Sequence, residues 1–343
     1  MRKISDIKVG YACNNDCIHC VIAGNRDELI KQKKPINRSF AECKKEILEA
    51  KDSGADEIVL TGGEPTIRED FLKLLNLINE ESLKANIQTN GRAFGDTGFA
   101  GEVGSFHNIV FSIALHGPNK NVHDRITRKK GSFRETEKGI RNLMSLKKSI
   151  NIKLVISKLN YKFLRKTIDR ISDLNVKQIN LTFPHGIGNA GKYFDEVVPK
   201  YTEIVTYVHE ALEYCIQKGI LFQTEAIPYC FLDGFEEWAS EHFLIPVSQE
   251  TRPVGLDTLD WSKKKPEIKR KAAQCDRCLF SKLCEGAWEE YIENYGEKEF
   301  DPVEITTQNM MRTLVKYKKI MDYRSGKIRI DRQNNCGESN KGE

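Results

Sequence analysis

From residue 5 to about residue 225, short apolar and β-branched runs alternate with longer segments of helical period. The runs at 7–11, 57–60, 85–89, 108–114, 150–156 and 178–183 read as strands, and the segments at 39–53, 70–81, 133–148, 161–174 and 199–218 read as helices. Ser39 with Glu42 three residues on makes a capping box for the first helix, and Gly54 stands where that helix should stop. Strands separated by helices pair in parallel, so the expected class is α/β. Six βα units are too few to close the eight-stranded barrel, which leaves a partial, TIM-like (β/α)6 barrel over residues 1–225. Ligands of such sheets bind outside the carboxyl ends of the strands, so chemistry is sought on that edge. Beyond residue 225 the alternation stops. Residues 226–305 are aromatic, charged and proline-punctuated and are expected to form a cysteine-rich α+β extension. A basic helix is expected at 306–324, and the polar tail at 325–343 is expected to be disordered.

Composition narrows the setting. With 39% hydrophobic and 30% charged residues, the chain is that of an ordinary globular protein. No apolar run approaches the ~18 residues of a membrane span, and the start lacks an apolar stretch of signal-peptide length. The expectation is a cytoplasmic protein with no membrane partner. In that reducing setting ten cysteines, several closely spaced, point to metal or catalysis rather than disulfides. The 54 Lys and Arg against 49 Asp and Glu give a net charge of +5. Residues 125–170 hold fifteen of the cations and three of the anions, a local +12. Nucleic acid or an acidic peptide would be attracted there, but charge runs lack base-reading chemistry, so solvated helix faces are the favoured reading and nucleic acid is not an expected partner.

Directly after the first strand, Cys13, Cys17 and Cys20 fall at C-x3-C-x2-C spacing. Three thiolates on one tight loop can each ligate a different iron of a cubane, leaving the fourth iron open to a substrate or cofactor. A zinc loop would want a fourth nearby ligand, and His19 would have to fold back sharply to supply it. This spacing after the first strand of a βα barrel resembles the radical S-adenosylmethionine (SAM) superfamily. The resemblance implies that Cys13, Cys17 and Cys20 hold a [4Fe-4S] cluster, with the amino and carboxylate groups of SAM on its fourth iron. It further implies electron transfer that cleaves SAM to methionine and a 5′-deoxyadenosyl radical, which abstracts hydrogen from a substrate. A reductant such as flavodoxin or ferredoxin is the implied partner. The family usually has an aromatic before the last cysteine; here it is His19, whose imidazole can stack near the adenine.

Motifs at later strand ends extend the resemblance. Gly62-Gly63-Glu64-Pro65 resembles the family's GGEP, in which glycines let the backbone approach a ligand and Glu64 can accept from an ammonium. By itself such a stretch would be a turn. Asn90, in Thr89-Asn90-Gly91, is similar to a residue that lines the cofactor. Ser112, in a strand that continues to His116-Gly117, would bond the ribose or carboxylate of SAM; read alone it is a satisfied core hydroxyl. His123-Asp124-Arg125 followed by Gly131-Ser132-Phe133 matches a stretch in which Arg125 would reach the SAM carboxylate. His185, in the glycine-rich loop after the sixth strand, is implied to face the substrate.

Cys275, Cys278 and Cys284 form a C-x2-C-x5-C array. Zinc and iron–sulfur both accept that spacing, and three ligands need a fourth. The array resembles the SPASM extensions and the shorter twitch domains, which carry auxiliary [4Fe-4S] clusters. The SPASM pattern would continue with a cysteine where Trp288 stands, so two auxiliary clusters are not expected. Cys230, at the junction of barrel and extension, is the best fourth ligand. Cys43 and Cys215 fall in helical patterns and read as buried hydrophobes, while Cys336 lies in the tail. The functional expectation is SAM cleavage coupled to modification of a peptide or small metabolite, with one auxiliary [4Fe-4S] cluster aiding substrate-radical oxidation or electron relay. Peptide modifiers often carry an N-terminal peptide-binding domain, and a cluster loop beginning at residue 13 weakens the peptide reading. The alternatives are a non-catalytic iron–sulfur sensor or nucleic-acid binder using residues 125–170, and the same enzyme with zinc in the extension. The residue that gives or takes the substrate hydrogen is left unassigned.

Overall fold

The computed structural model describes residues 2–176, 178–244, 247–304 and 310–324. The tail expected at 325–343 lies outside these, as do residues 306–309; the C-terminal helix is described over Met310–Arg324.

All six expected strands are present: β1 (Arg2–Gly10), β2 (Glu57–Gly62), β3 (Lys84–Thr89), β4 (Ile109–Ala114), β5 (Ser149–Val155) and β6 (Gln178–Thr182). They pair in parallel and in sequence order, which gives the α/β class. The sheet extends past both edges of this set. β7 (Leu221–Glu225) pairs with β6, and β8 (Val247–Arg252) returns from the extension to pair in parallel with β1, Ser5 opposite Glu250. β9 (Leu259–Asp260) then runs antiparallel to β8. Among the described residues the order is β7-β6-β5-β4-β3-β2-β1-β8-β9, open at both ends: a partial, TIM-like barrel. The extension expected after residue 225 therefore contributes two strands to the barrel sheet.

Register fixes what each face carries. Phe111 lies opposite Ile87 and Ile150, and Ile152 lies opposite Ile113 and Ile179; all are buried in the main apolar cluster with the helices. On the other face Ser112 lies between Gln88 and Asn151, and Asn180 lies between Lys153 and Gln223. A closed eight-stranded barrel fills its interior with branched apolar side chains. Here the inner face is polar, so it is built to meet water or a polar ligand.

The helices obey their local signals. Ser39 Oγ accepts the Glu42 amide while the Glu42 carboxylate accepts the Ser39 amide at 2.6 Å, and Phe40–Asp52 follows. Gly54 ends that turn at φ +87°, where a side chain would be strained. Helices at Ala23–Lys31, Thr97–Gly104 and Lys120–Thr127 are additional to the expected set.

The stretch from His123 to Phe133 is first of all a cap. Asp124 accepts from the amides of Gly131 (2.7 Å) and Phe133 (2.8 Å) and from Ser132 Oγ (2.9 Å), at the start of the helix Ser132–Ser145. Burial pushes the Asp124 carboxyl up, but these donors outweigh it and hold the pKa below its ordinary value. A depressed folded-state pKa means the stabilisation is present above the unfolded value of ~3.9 and is lost as pH falls through the folded value. Asp124→Ala should lower the unfolding free energy by about 1 kcal/mol at pH 7, with variant and wild type converging in acid. Urea denaturation at the two pH values checks this, and an unchanged midpoint at neutral pH would remove the capping role.

Candidate active site at the carboxyl edge of the sheet

The loop bearing Cys13, Cys17 and Cys20 leaves β1 at the carboxyl edge and is held from three sides. From the helix Lys120–Thr127 and its end, Thr127 and Ile126 carbonyls accept the amides of Asp16 (3.0 Å) and Ile18 (2.9 Å). From the end of β3, Arg92 Nη1 donates to Asn14 O (2.6 Å) and Asn15 Oδ1 (2.9 Å), and Asn90 Nδ2 donates to Asn14 Oδ1 (2.6 Å). From the loop after β6, Asn189 Nδ2 donates to Cys17 O (2.9 Å) and its amide to Cys20 O (2.9 Å). Arg92 and Asn189 are absent from the sequence-based candidates. Arg92 directly follows Thr89-Asn90-Gly91, and Asn189 lies in the glycine-rich loop, so adjacency to a motif was their available signal.

The Gly62–Pro65 turn interlocks with this loop. A Cβ on Gly62 would lie 2.2 Å from the Gly10 carbonyl oxygen, and one on Gly63 would lie 2.0 Å from that of Ala12. The close approach that demands glycine is thus to the chain entering the cysteine loop. Glu64 is buried: Oε1 accepts from Thr66 N, Thr66 Oγ1 and Thr89 Oγ1, and Oε2 accepts from Asn90 N at 2.6 Å. Burial raises its pKa against those donors. Pro65 opens the short turn that follows.

Three histidines pack behind the loop. The ring of His116, at the end of β4, meets His19 edge-on at 4.5 Å and His123 in a stack at 5.8 Å. Burial lowers all three pKa values, those of His19 and His123 to about 4, so the cluster is neutral at pH 7. His19 Nδ1 and His123 Nε2 are buried without a hydrogen-bond partner among the described residues. Ser112, buried on the inner face, donates to Asn86 Oδ1, and Asn151 Oδ1 opposite it is also unpartnered. Arg125 stands apart from this set, exposed on its helix.

The second thiol set also comes together. Cys230, Cys275, Cys278 and Cys284 line one cavity of about 400 Å3, open mouth included, with Tyr229, Gly286 and Phe300 among its walls. Burial raises the thiol pKa values of Cys230, Cys275 and Cys284. In the first set burial lifts Cys13 to about 11 and raises Cys17 and Cys20. Backbone amides already point at sulfur in both: Asn15 N to Cys13, Gly286 N to Cys284 and Val303 N to Cys278, each at 3.4 Å. Such bonds to sulfur are among the levers that tune iron–sulfur sites. Among the described residues no three His, Cys, Asp or Glu side chains converge closely enough to hold a single metal ion. Trp288, in the position where a further cysteine would continue the array, stacks on His185 at 4.0 Å, and His185 Nε2 lies 3.3 Å from Glu290.

Comparison with known proteins agrees with this geometry. The family described as "Radical SAM superfamily" matches residues 7–171. Mycofactocin maturase MftC of Mycolicibacterium smegmatis is 28% identical over 164 residues, 48% of this chain and 38% of that protein. A probable GTP 3′,8-cyclase of Saccharolobus islandicus is 24% identical over 209 residues, 57% of this chain and 62% of the relative. The chain thus spans less than two thirds of the length of these relatives. Among solved structures, Streptococcus suis SuiB bound to S-adenosylmethionine superposes with a TM-score of 0.63 over 88% of this chain and 76% of its own, at 16% identity. Native anSMEcpe with bound AdoMet and a peptide gives 0.61 over 95% and 98%, at 15% identity. At these identities the structures show the shared fold. Residues 7–171 match the radical SAM superfamily, and the described residues share the fold of SuiB and anSMEcpe. A [4Fe-4S] cluster with SAM, and reductive cleavage of SAM, are general to that family. Among the described residues no helix is long and apolar enough to cross a membrane.

Removing the Arg92 clamp should free the cysteine loop. Arg92→Ala is expected to speed hydrogen exchange at the Asp16 and Ile18 amides by ~tenfold or more, since a charged hydrogen bond contributes about 1.5–3 kcal/mol. The Ile152 amide in β5 should be unaffected, and an equal acceleration there would indicate general destabilisation instead.

Proposed function

We propose that this chain is a maturase-type radical SAM enzyme acting on a peptide in the cytoplasm, with flavodoxin or ferredoxin as reductant. Cys13, Cys17 and Cys20 would hold the [4Fe-4S] cluster that binds SAM, and Cys230, Cys275, Cys278 and Cys284 an auxiliary [4Fe-4S] cluster of SPASM or twitch type. The observation that carries this reading is the presence of two gathered thiol sets, one on the clamped loop and one around a single cavity. When bound, the first cluster supplies the electron that splits SAM into methionine and a 5′-deoxyadenosyl radical; the auxiliary cluster supplies a site to accept or relay an electron.

The chain's own residues bind and orient. The Gly62, Gly63, Glu64 and Pro65 turn shapes the floor beside the loop, and Asn90 and Arg92 hold that floor to the cysteines. His19 and His123 offer unpaired ring nitrogens, and Ser112 with Asn151 offers polar atoms on the inner face. Arg125 is left out of the SAM pocket because its side chain is exposed. The functional division is kept at barrel 1–225, auxiliary region 226–305 and helix 306–324. A peptide is preferred over a small metabolite because the relative MftC is a maturase and because SuiB and anSMEcpe share the fold and were solved with peptides.

Anaerobic reconstitution should load about eight irons per chain, and dithionite should drive formation of 5′-deoxyadenosine from SAM. Cys13→Ala/Cys17→Ala should lose about four irons and all 5′-deoxyadenosine, whereas Cys275→Ala/Cys278→Ala should lose about four irons of the eight and retain SAM cleavage. An iron count unchanged in the second variant, or zinc recovered in its place, would sink the auxiliary-cluster assignment.

A further inference from the structure

Residues 125–134 carry Arg125, Arg128, Lys129, Lys130 and Arg134 and no acidic residue. The structure sets this run directly against the cysteine loop, through the two backbone bonds from Asp16 and Ile18 and the pairing of Arg128 with Asp16 at 3.1 Å. All five cations are exposed, and Arg125, Lys129, Lys130 and Arg134 make no ion pair among the described residues. Further along the same basic region the case differs: Arg141 and Arg170 are both answered by Glu137. The cationic rim continues around the loop, because Arg128 and Lys192 both lie over the ring of Tyr193. Beyond Lys192, Ile187 (39% exposed) and Val21 (40% exposed) flank Gly188, which packs on the Val21 backbone. Cys13, on the same loop, is an exposed residue. Two acids nearby are already matched, Asp16 by Arg128 and Asp27 by Arg26.

A solvated helix face would not need its free cations gathered beside the loop that holds the metal. Nucleic acid is a poor fit, since Tyr193, the aromatic on the rim, already has Arg128 and Lys192 over its ring. Exposed, unpaired cations beside the loop, with Ile187 and Val21 exposed at one end of the rim, match the interface of a transient complex steered by opposite charge. We infer that this rim is the docking surface for a small acidic one-electron carrier protein that reduces the metal site of the Cys13–Cys20 loop. The inference rests on the proposed function for the purpose of the electron, and it adds where that electron enters.

Flavodoxin is the probe. Lys129→Glu/Lys130→Glu/Arg134→Glu should weaken binding of oxidised flavodoxin by about tenfold or more at low ionic strength, with the difference shrinking as salt is added. The half-saturating flavodoxin concentration for 5′-deoxyadenosine formation should rise by a similar factor, while the dithionite-driven rate, which also reports an intact fold, stays at the wild-type value. Lys44→Glu/Lys45→Glu/Lys73→Glu, on exposed positions of the helices Phe40–Asp52 and Phe71–Glu80, changes the charge by the same amount and is the control for net charge. Wild-type affinity in the triple variant, or an equal loss in the control, overturns the docking surface. A wild-type protein that makes no 5′-deoxyadenosine with dithionite would refute the proposed function instead, and the flavodoxin titration, which needs no turnover, still decides the surface.

Discussion

Three strand ends meet at one buried carboxylate. The Glu64 amide donates to the Ala12 carbonyl at 2.9 Å, and its side chain accepts from Thr66 in its own turn and from Thr89 and Asn90 at the end of β3. A carboxylate so enclosed is costly unless its oxygens are satisfied, and here four donors satisfy them. The bonds turn that cost into a tie, since the ends of β1, β2 and β3 cannot move independently without breaking one. Gly62 and Gly63 make the tie sterically possible by letting the turn lie on the Gly10 and Ala12 carbonyls. What Glu64 fixes is therefore the point at which Cys13 begins.

With the loop anchored on that edge, the sheet supplies the rest of the cavity by the period of its strands. Apolar side chains face the helices, and the alternate positions place Gln88, Ser112, Asn151, Lys153, Asn180 and Gln223 inward. A parallel sheet covered on both faces would read as continuous apolar runs. The polar alternate positions are therefore a statement about function made at the level of packing, because they forgo apolar burial on one whole face.

That alternation is also why much of the fold was legible. β5 places Ile150, Ile152 and Leu154 at period two, β2 and β4 carry short β-branched and apolar runs between helices of period 3.6, and Ser39 and Gly54 mark a helix start and stop. β8 was not legible, because Val-Ser-Gln-Glu-Thr-Arg has a single apolar residue. It is held by its pairing with β1 and by ion pairs of Arg252 to Glu46 and Glu49 on the helix Phe40–Asp52, with Glu250 of the same strand alongside. β7 was hidden by brevity, following two residues after the helix Tyr201–Lys218. In the site, residues in contiguous motifs were found, whereas Arg92 and Asn189 act through hydrogen bonds to a loop distant in sequence, which no spacing encodes. The exposure of Arg125 was equally invisible, since a motif position does not state which way a helix faces.

The extension is fixed by a different kind of force from the one that fixes the first loop. Lys265 and Lys269, with side chains 3% and 1% exposed, both reach Glu241; Lys265 also pairs with Glu225 at the end of β7, and Lys269 with Glu285 beside Cys284. Burial opposes ionisation of Glu225 and Glu241, yet the lysines hold both carboxyls below the usual range. Buried ion pairs add little net stability over a well-packed apolar contact, but breaking one leaves a stranded charge, so they penalise any other placement. The chain from Glu225 through Lys265, Glu241 and Lys269 to Glu285 thus sets the Cys284 loop in one position against β7. Backbone bonds among adjacent strand ends require residues close to the cysteines, and they leave a compact motif. A side-chain ion network tolerates long intervals between its members, which is why the second thiol set is spread from Cys230 to Cys284 and had to be inferred by asking which cysteine could complete it.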